Sequence, residues 1–544
     1  MPTSRPCSAA IEAGQAVDLP FRTINDGRNS IMNPDKTGAA PSKTMRPSPA
    51  TPDEIYVGGT WRQGAGKLIE SIDPATGACF ATLHGATVDD VDAAVQAGLK
   101  AVENSGWARM LPHERATVLH RISDAILGNA ERIAELQTLD TGKTLAETRA
   151  LAVSAAGTFR FTAAALETLE DALTPSRGDY LSVSMYEPVG VVGAITPWNS
   201  PIASDAQKVA PALAAGNAVI IKPPVWAPWV SLLLARICDD AGLPPGLLSV
   251  LPGPGRTVGD ALARHPQVGK ISFTGGTSTG RTLGAVAAEK IMPITLELGG
   301  KSPTIVFADA DLDQAVAGIL YGIFSSTGQS CIAGSRVFIQ RSIFEEVLNR
   351  LVDGAKRLRV GPGSDPATQV GPMVTHEHRD SVAAMVDAAW RDGATVLCGG
   401  GPPEDEALHA GAYFLPTILS GVSNSAAICQ EEIFGPVAVV LPFDDETDLV
   451  REANDTVFGL ACGVWTSDYR RAWRTAKAIQ AGTVWINTYK QFSISTPFSG
   501  SKESGLGIEK GREGIRSYMR QKSIYLDLSG KPIDWAAQQP AVEQ

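Results

Sequence analysis

Apolar residues along this chain recur in two registers. After Thr87, residues Val88, Val91, Val95, Leu99 and Val102 fall three or four positions apart, the spacing of one face of a helix. Thr87 with Asp90 ahead of that run resembles a capping box, the signature of a helix start. A longer helical region is predicted from about 114 to 170, with Leu119, Ile122, Ile126, Ile133 and Leu136 on one stripe. The segment 181–195, LSVSMYEPVGVVGAI, is rich in strand formers. Short apolar runs bounded by Gly or Pro then appear at 218–223, 247–253, 270–276 and 303–309, with helical stretches between them. Strands alternating with helices predict an α/β fold built on a parallel sheet, whose ligands bind at the carboxyl ends of the strands. A second alternating block runs from near 300 to about 490, including RVFIQ (336–340), PVAVVLPF (436–443), ACGVW (461–465) and GTVWIN (482–487).

The 544 residues are too many for one hydrophobic core, so several domains are expected. Residues 1–51 carry Pro, Ser, Thr and isolated charges without period and read as a disordered tail. A dinucleotide-binding domain is predicted over 52–299 and a second domain over 300–496, with the boundary at Gly299–Gly300. Apolar residues at 44% and charged residues at 19% are ordinary for a globular protein. The formal charge of −11 offers nothing to a phosphate backbone, so nucleic acid is not an expected partner. No apolar run is long enough for a spanning helix, and no secretory signal pattern opens the chain, so no membrane partner is expected. The seven cysteines are scattered and form no CxxC pair, which argues against a disulfide framework and against a structural zinc site. No bound metal and a reducing, cytoplasmic setting are therefore expected.

Several segments could carry chemistry. Gly253-Pro-Gly255-Arg-Thr-Val-Gly259 lies between a strand and a helix but has one residue too many for GxGxxG, and a plain turn explains it equally well. Phe273-Thr274-Gly275-Gly276-Thr-Ser-Thr-Gly280 is better placed: its glycines let the backbone approach an anion, and the following helix N-terminus favours negative charge. Lys222 ends the run AVIIK, where it reaches a ribose or phosphate or else is simply solvated. Cys331, in Gly-Gln-Ser-Cys-Ile-Ala-Gly, is flanked by small residues that leave its sulfur accessible, although a lone cysteine is more often an inert filler. Glu297 sits between apolar residues before a Gly pair; desolvation there would raise its pKa and suit a general base, while the plainer reading is an exposed strand-end carboxylate. Asn199, in Thr196-Pro197-Trp198-Asn199, could donate a side-chain N–H or merely close a turn.

Taken together, these segments resemble the aldehyde dehydrogenase superfamily from about residue 52 to 528. The matching stretches come in the family's order: TPWN (196–199), APALAAGN (210–217), IIKP (220–223), FTGGTSTG (273–280), LELGGKSP (296–303), GQSCIAGSR (328–336), EEIFGPV (431–437) and PFSGSKESGLG (497–507). The resemblance implies a Rossmann-like cofactor domain, an α/β catalytic domain, and a small β oligomerisation arm combining a 175–192 ribbon with residues 497–528, followed by a 529–544 tail. A homodimer or homotetramer would follow. It implies Cys331 as nucleophile toward a small-molecule aldehyde, Glu297 as the base that activates water, and Asn199 with the Cys331 backbone N–H as the oxyanion hole. For the cofactor, NAD or NADP, it implies contacts from Thr196, Pro197, Trp198, Lys222, Gly255, Phe273, Thr274, Gly275, Gly276, Glu432 and Phe434.

The chain departs from the family pattern in places that matter. Val225 stands where many members carry a glutamate that holds the ribose diol of NAD, so NADP is expected to be accepted at least in part. Ser200, Ala203, Ser204 and Gln207 replace bulky apolar residues on the helix after Trp198-Asn199, and Phe492 remains as an aromatic wall. A pocket lined by Ser200, Ser204, Gln207 and Phe492 suits a bulky or polar aldehyde. Lys490 either lies near the entrance, where it attracts an acidic aldehyde, or is solvated. Ser326, where many relatives have Asn, and Ser499-Gly500, where PFGG is usual, have no explanation in the sequence. Three other readings remain at this level: a semialdehyde dehydrogenase, a coenzyme A-acylating enzyme, or an inactive binding protein on the same scaffold.

Overall fold

The computed structural model describes residues 54–533, 535 and 536; the tail expected over 1–51 and most of 529–544 lie outside them. The predicted apolar runs become strands of two sheets. The first is eight-stranded, and its centre is five parallel strands in the spatial order Leu248–Val250, Ala218–Lys222, Val191–Ile195, Lys270–Thr274, Ile294–Glu297. These strands are buried on both faces, which is why each reads as a nearly continuous apolar run rather than an alternation. The chain moves outward in one direction from Val191–Ile195 and then returns to pair Lys270–Thr274 on its other side. That reversal leaves a crevice at the carboxyl ends of these two strands, where Thr196 and Gly275 begin.

The second sheet has seven strands, six of them parallel, with Pro303–Val306 between Arg336–Gln340 and Ala461–Trp465. Its first strand in the chain starts six residues after Glu297, the end of the first sheet's last parallel strand. A separate three-stranded antiparallel sheet joins Ala172–Thr174, Tyr180–Pro188 and Met519–Asp527, so the 181–195 segment is split between two sheets at Gly190. Gly190 has φ 102°, a left-handed turn that a side chain would resist.

Two helical expectations need correction. The predicted 114–170 region is three helices, Pro112–Gly128, Ala130–Thr141 and Leu145–Leu166. Asn129 breaks the first from the second, its side chain bonding the Ala125 carbonyl. Gly142, at φ 75°, ends the second, and Thr144 caps the third. The stripe from Leu119 to Leu136 is nonetheless buried throughout. In Val88–Asn104 the Thr87–Asp90 capping box forms in both directions, but Val88 itself is exposed, because the first turn projects beyond the sheet it packs on. Among the described residues no helix is long and apolar enough to cross a membrane.

Candidate active site

Thr196–Asn199 leave the carboxyl end of Val191–Ile195, and Gly275–Gly276 leave that of Lys270–Thr274, so the crevice brings both loops together. A cavity of about 470 Å³ opens there, and it collects Asn199, Glu297 and Cys331 with all twelve residues expected at the cofactor: Thr196, Pro197, Trp198, Lys222, Val225, Gly255, Phe273, Thr274, Gly275, Gly276, Glu432 and Phe434. The glycine loop is suited to an anion. A Cβ on Gly275 would strike the Phe273 ring at 2.5 Å, while the space around Gly276, the N-cap of helix Thr277–Lys290, is open and carries no side-chain cap. The free N–H groups and positive end of that helix therefore face an empty region of the cavity. Lys222 is buried rather than solvated, and burial lowers its pKa to about 8. A dinucleotide fits this donor set: an anion cradle, a lysine at the strand end, and apolar walls.

The structure adds residues that sequence reasoning missed. His378 lines the same cavity, as do Trp226 and Thr279. His378 Nε2–H donates to the Phe434 carbonyl at 2.8 Å, and Trp198 lies edge-on to both His378 and Phe434, at 5.6 and 5.3 Å between ring centroids. Phe434 has φ 55°, a conformation a bulky residue holds only when its surroundings impose it. No local signal marks His378 in the sequence: it sits in a polar helix start, His-Glu-His-Arg, capped by Thr375.

Around Cys331 the geometry is tight. Glu297 is 4% exposed, and neither carboxylate oxygen has a hydrogen-bond partner. Burial, reinforced by the nearby Glu509, raises its pKa well above the usual carboxylate range, against the opposing charges of Lys208 and Lys510. The exposed strand-end reading is therefore wrong. Cys331 is half-buried, and burial with the charges of Glu432 and Glu297 pushes its thiol up to about 12. The Asn199 side chain donates to the Gln329 carbonyl at 3.1 Å, leaving its second amide hydrogen free. Among the described residues the Cys331 N–H makes no backbone hydrogen bond. A Cβ on Gly300 would meet the Cys331 carbonyl oxygen at 2.3 Å, and one on Gly299 would meet Glu432 at 2.3 Å, so both glycines are fixed by close approach. Ser326 holds φ 58°, a region Asn tolerates well, and its N–H donates to Glu147 at 2.5 Å, so the replacement of Asn by Ser has no structural explanation. The change at Ser499 has none, whereas Gly500 is retained because a Cβ there would strike the Ser504 backbone at 2.4 Å.

Of the four expected substrate residues, Ser200, Ser204, Gln207 and Phe492, none lines the large cavity. Gln207 borders a small separate cavity with Lys510 and Ile494. Phe492 joins an aromatic group with Trp485 and Phe498, at 5.5 and 5.6 Å. Phe498 and Cys331 both pack against the cluster formed by Ile332, Leu460, Ala461, Trp485 and Tyr489, so this group adjoins Cys331. Lys490 is not solvated: its ammonium donates to Ser325 Oγ at 2.7 Å.

A crevice at the switch point of a parallel sheet, with an anion cradle beside a cysteine, a desolvated glutamate and an amide donor, has the donor set of a dinucleotide-dependent oxidoreductase. The sequence model of the aldehyde dehydrogenase family matches residues 61–524. The chain belongs to that family and oxidises an aldehyde. It is 41% identical over 475 residues to betaine aldehyde dehydrogenases of Brucella anthropi and Brucella melitensis, covering 87% of this chain and 97% of each relative. Among solved structures, betaine aldehyde dehydrogenase from Staphylococcus aureus in complex with NAD+ superposes with a TM-score of 0.87 at 35% identity, over 89% of this chain and 97% of that one. A point variant of aldehyde dehydrogenase from Bacillus cereus gives 0.87 at 35% identity, over 91% and 100%.

Proposed function

We propose that the protein oxidises an aldehyde to the free carboxylic acid through a thioester on Cys331, with NAD or NADP as hydride acceptor. The observation that carries this reading is the buried, unpartnered carboxyl of Glu297 lining the same cavity as Cys331 and Asn199. The Cys331 thiol loses its proton and its sulfur bonds to the aldehyde carbon. The free amide hydrogen of Asn199 and the Cys331 N–H hold the resulting oxyanion. A nicotinamide held in the cavity by the Gly275–Gly276 loop and Lys222 would supply the hydride acceptor that turns this adduct into the thioester on Cys331. Glu297 in its carboxylate form then takes a proton from water, which attacks the thioester and frees the acid. A carboxyl with a raised pKa is a stronger base once ionised, which is the property this step needs.

Residues 52–299 form the cofactor domain and 300–496 the catalytic domain in this reading. The ribbon at 175–192, with residues 497–528, is an oligomerisation arm, giving a homodimer or homotetramer in a cytoplasmic setting. Exposed Leu173, Ile524, Tyr525 and Leu526 on the three-stranded sheet support that arm. The substrate is a bulky or polar aldehyde, the reading that Ser200, Ser204, Gln207 and Phe492 suggest; of these, Phe492 comes near Cys331 through its aromatic group. The test is a panel of aldehydes with purified protein and each cofactor, following reduced cofactor and product, with Cys331→Ala as control. Free acid and loss of turnover in the variant are expected; acyl-coenzyme A as the product, or turnover surviving in Cys331→Ala, overturns the reading.

A further inference from the structure

Four aromatic rings that line the cofactor cavity pack together: Trp226, Trp198, Phe434 and His378. Ring centroids are 6.0 Å apart from Trp226 to Trp198, 5.3 Å from Trp198 to Phe434, 5.6 Å from Trp198 to His378 and 6.2 Å from His378 to Phe434. Three of these rings sit beside residues already assigned to the site: Trp226 follows Val225, Trp198 precedes Asn199, and Phe434 lies two residues after Glu432. His378 comes instead from the helix His376–Arg391, whose other residues do not line this cavity.

The turn that carries Glu432 and Phe434 has little of its own to hold it. Among the described residues the N–H groups of Glu432, Ile433, Phe434 and Gly435 make no backbone hydrogen bond. Phe434 nonetheless sits at φ 55°, in the left-handed region, which a bulky residue keeps only under constraint. The helix supplies that constraint. His378 Nε2–H donates to the Phe434 carbonyl at 2.8 Å, and a Cβ on Gly435 would lie 2.8 Å from Val382. Residues four apart share one face of a helix, so a single face of His376–Arg391 presses on the turn at two points. On another side the turn meets the loop of Cys331, since a Cβ on Gly328 would strike the Gly435 carbonyl oxygen at 2.1 Å.

The same turn borders the reacting centre. Glu432 accepts from the Gly300 N–H at 3.0 Å, and a Cβ on Gly300 would meet the Cys331 carbonyl oxygen at 2.3 Å. In the proposed reaction the hydride leaves a carbon bonded to the Cys331 sulfur. The half of the cofactor that accepts it must therefore lie in contact with that carbon, on the side where Glu432 and Phe434 stand.

Resting on the dinucleotide-linked oxidation proposed above, we propose that His378 is a positioning residue for hydride transfer: its bond to the Phe434 carbonyl, with its ring against Phe434 and Trp198, holds the Glu432–Phe434 turn in the conformation that seats the nicotinamide half of the cofactor against Cys331. It acts through that turn and not on the reacting atoms. Without the donor, the Phe434 carbonyl loses its partner and the residue relaxes out of the left-handed region, taking Glu432 with it. The adenosine half, received by the Gly275–Gly276 loop and Lys222, keeps its site.

Calorimetric titration of the full-length protein with NAD or NADP, against ADP-ribose or its 2′-phosphate, separates the two halves, because the second pair lacks the nicotinamide. His378→Ala should weaken the dinucleotide about fivefold to tenfold and the nicotinamide-free probe less than about twofold. In stopped-flow at saturating cofactor and aldehyde, its first turnover should slow at least about tenfold, with a larger isotope effect from aldehyde deuterated at the carbonyl carbon. His378→Gln keeps an N–H donor and should recover most of both losses, whereas His378→Phe keeps a ring without the donor and should behave like His378→Ala. If His378→Ala does not fold, the comparison of His378→Phe with His378→Gln decides the same question. Equal weakening of dinucleotide and nicotinamide-free probe, wild-type values in the donor-less variants, or no recovery in folded His378→Gln overturns the proposal and leaves aldehyde oxidation intact. A wild-type protein that binds neither dinucleotide and turns over no aldehyde would instead overturn the reading on which it rests.

Discussion

Asn199→Ala removes one of the two donors assigned to the oxyanion and little else. The side chain is half-buried, and among the described residues its one hydrogen bond is to the Gln329 carbonyl at 3.1 Å. That carbonyl belongs to a residue anchored independently, since Gln329 Oε1 accepts from the Val374 N–H at 2.9 Å. The loop carrying Cys331 should therefore keep its place when the amide is lost. The two hydrogens of Asn199 Nδ2 divide the work: one orients the amide on Gln329, and the other is aimed at the developing charge. Loss of one preorganised oxyanion donor costs about 2.7–4 kcal/mol, or roughly 10²–10³ in rate. The Cys331 N–H remains as the second donor, so residual turnover is expected. The effect should fall on kcat and on the first, acyl-forming turnover in stopped-flow, with KM for the aldehyde changing little. Alkylation of Cys331 by iodoacetamide needs no oxyanion, so its rate should be near that of the wild type. A fall in kcat smaller than about tenfold, or a loss that appears equally in the alkylation rate, would refute the reasoning.

Val225→Glu places a carboxylate beside the adenosine side of the cavity; kcat/KM with NADP should fall about tenfold or more relative to NAD, and an unchanged ratio in parallel assays would exclude Val225 from cofactor choice. Lys208→Met strands Glu509 in a site where Lys208 is fully buried and also bonds Ser272 at 3.1 Å; breaking a buried pair from one side costs about 3–5 kcal/mol, so urea denaturation should show a clear loss, and an unaltered midpoint would contradict it. Because Cys331 is pushed up to about 12 and Glu297 is also raised, kcat should climb through the alkaline range, and a flat profile from pH 7 to 10 on the order of the wild-type error would count against both roles. The raised Glu297 favours the folded state at low pH, and the stability it lends is lost as pH rises from the ordinary carboxylate value toward its folded value.

The parallel strands were legible because double-sided burial writes itself as uninterrupted apolar runs, as in Ala218–Lys222. The cavity's polar residues were legible only because Cys331, Glu297 and Asn199 sit in motifs; alone, each had a plainer explanation. What the sequence hid has common causes. Helix breaks at Asn129 and Gly142 interrupt a stripe whose apolar spacing continues across them. His378 reaches the cavity from a distant helix with no local pattern to mark it, while Trp226, next to Val225, sits in a stretch whose neighbours alone were marked. Lys490 reads as a loop lysine, and its burial arises from residues 321–325 and 485–489 folding over it. The substrate side is where expectation and structure part most: Ser200, Ser204, Gln207 and Phe492 do not line the cavity that holds Cys331.

The central claim is that the acyl group rests on Cys331 until water activated by Glu297 removes it. Glu297→Gln preserves the shape of a buried side chain that has no hydrogen-bond partner and removes only its basicity. Mass spectrometry of this variant, quenched after mixing with aldehyde and cofactor, should find the acyl mass on the Cys331 peptide in near-stoichiometric amount, with one turnover of reduced cofactor and little after. Continued turnover with an unmodified Cys331, or the acyl mass on another residue, would contradict the account.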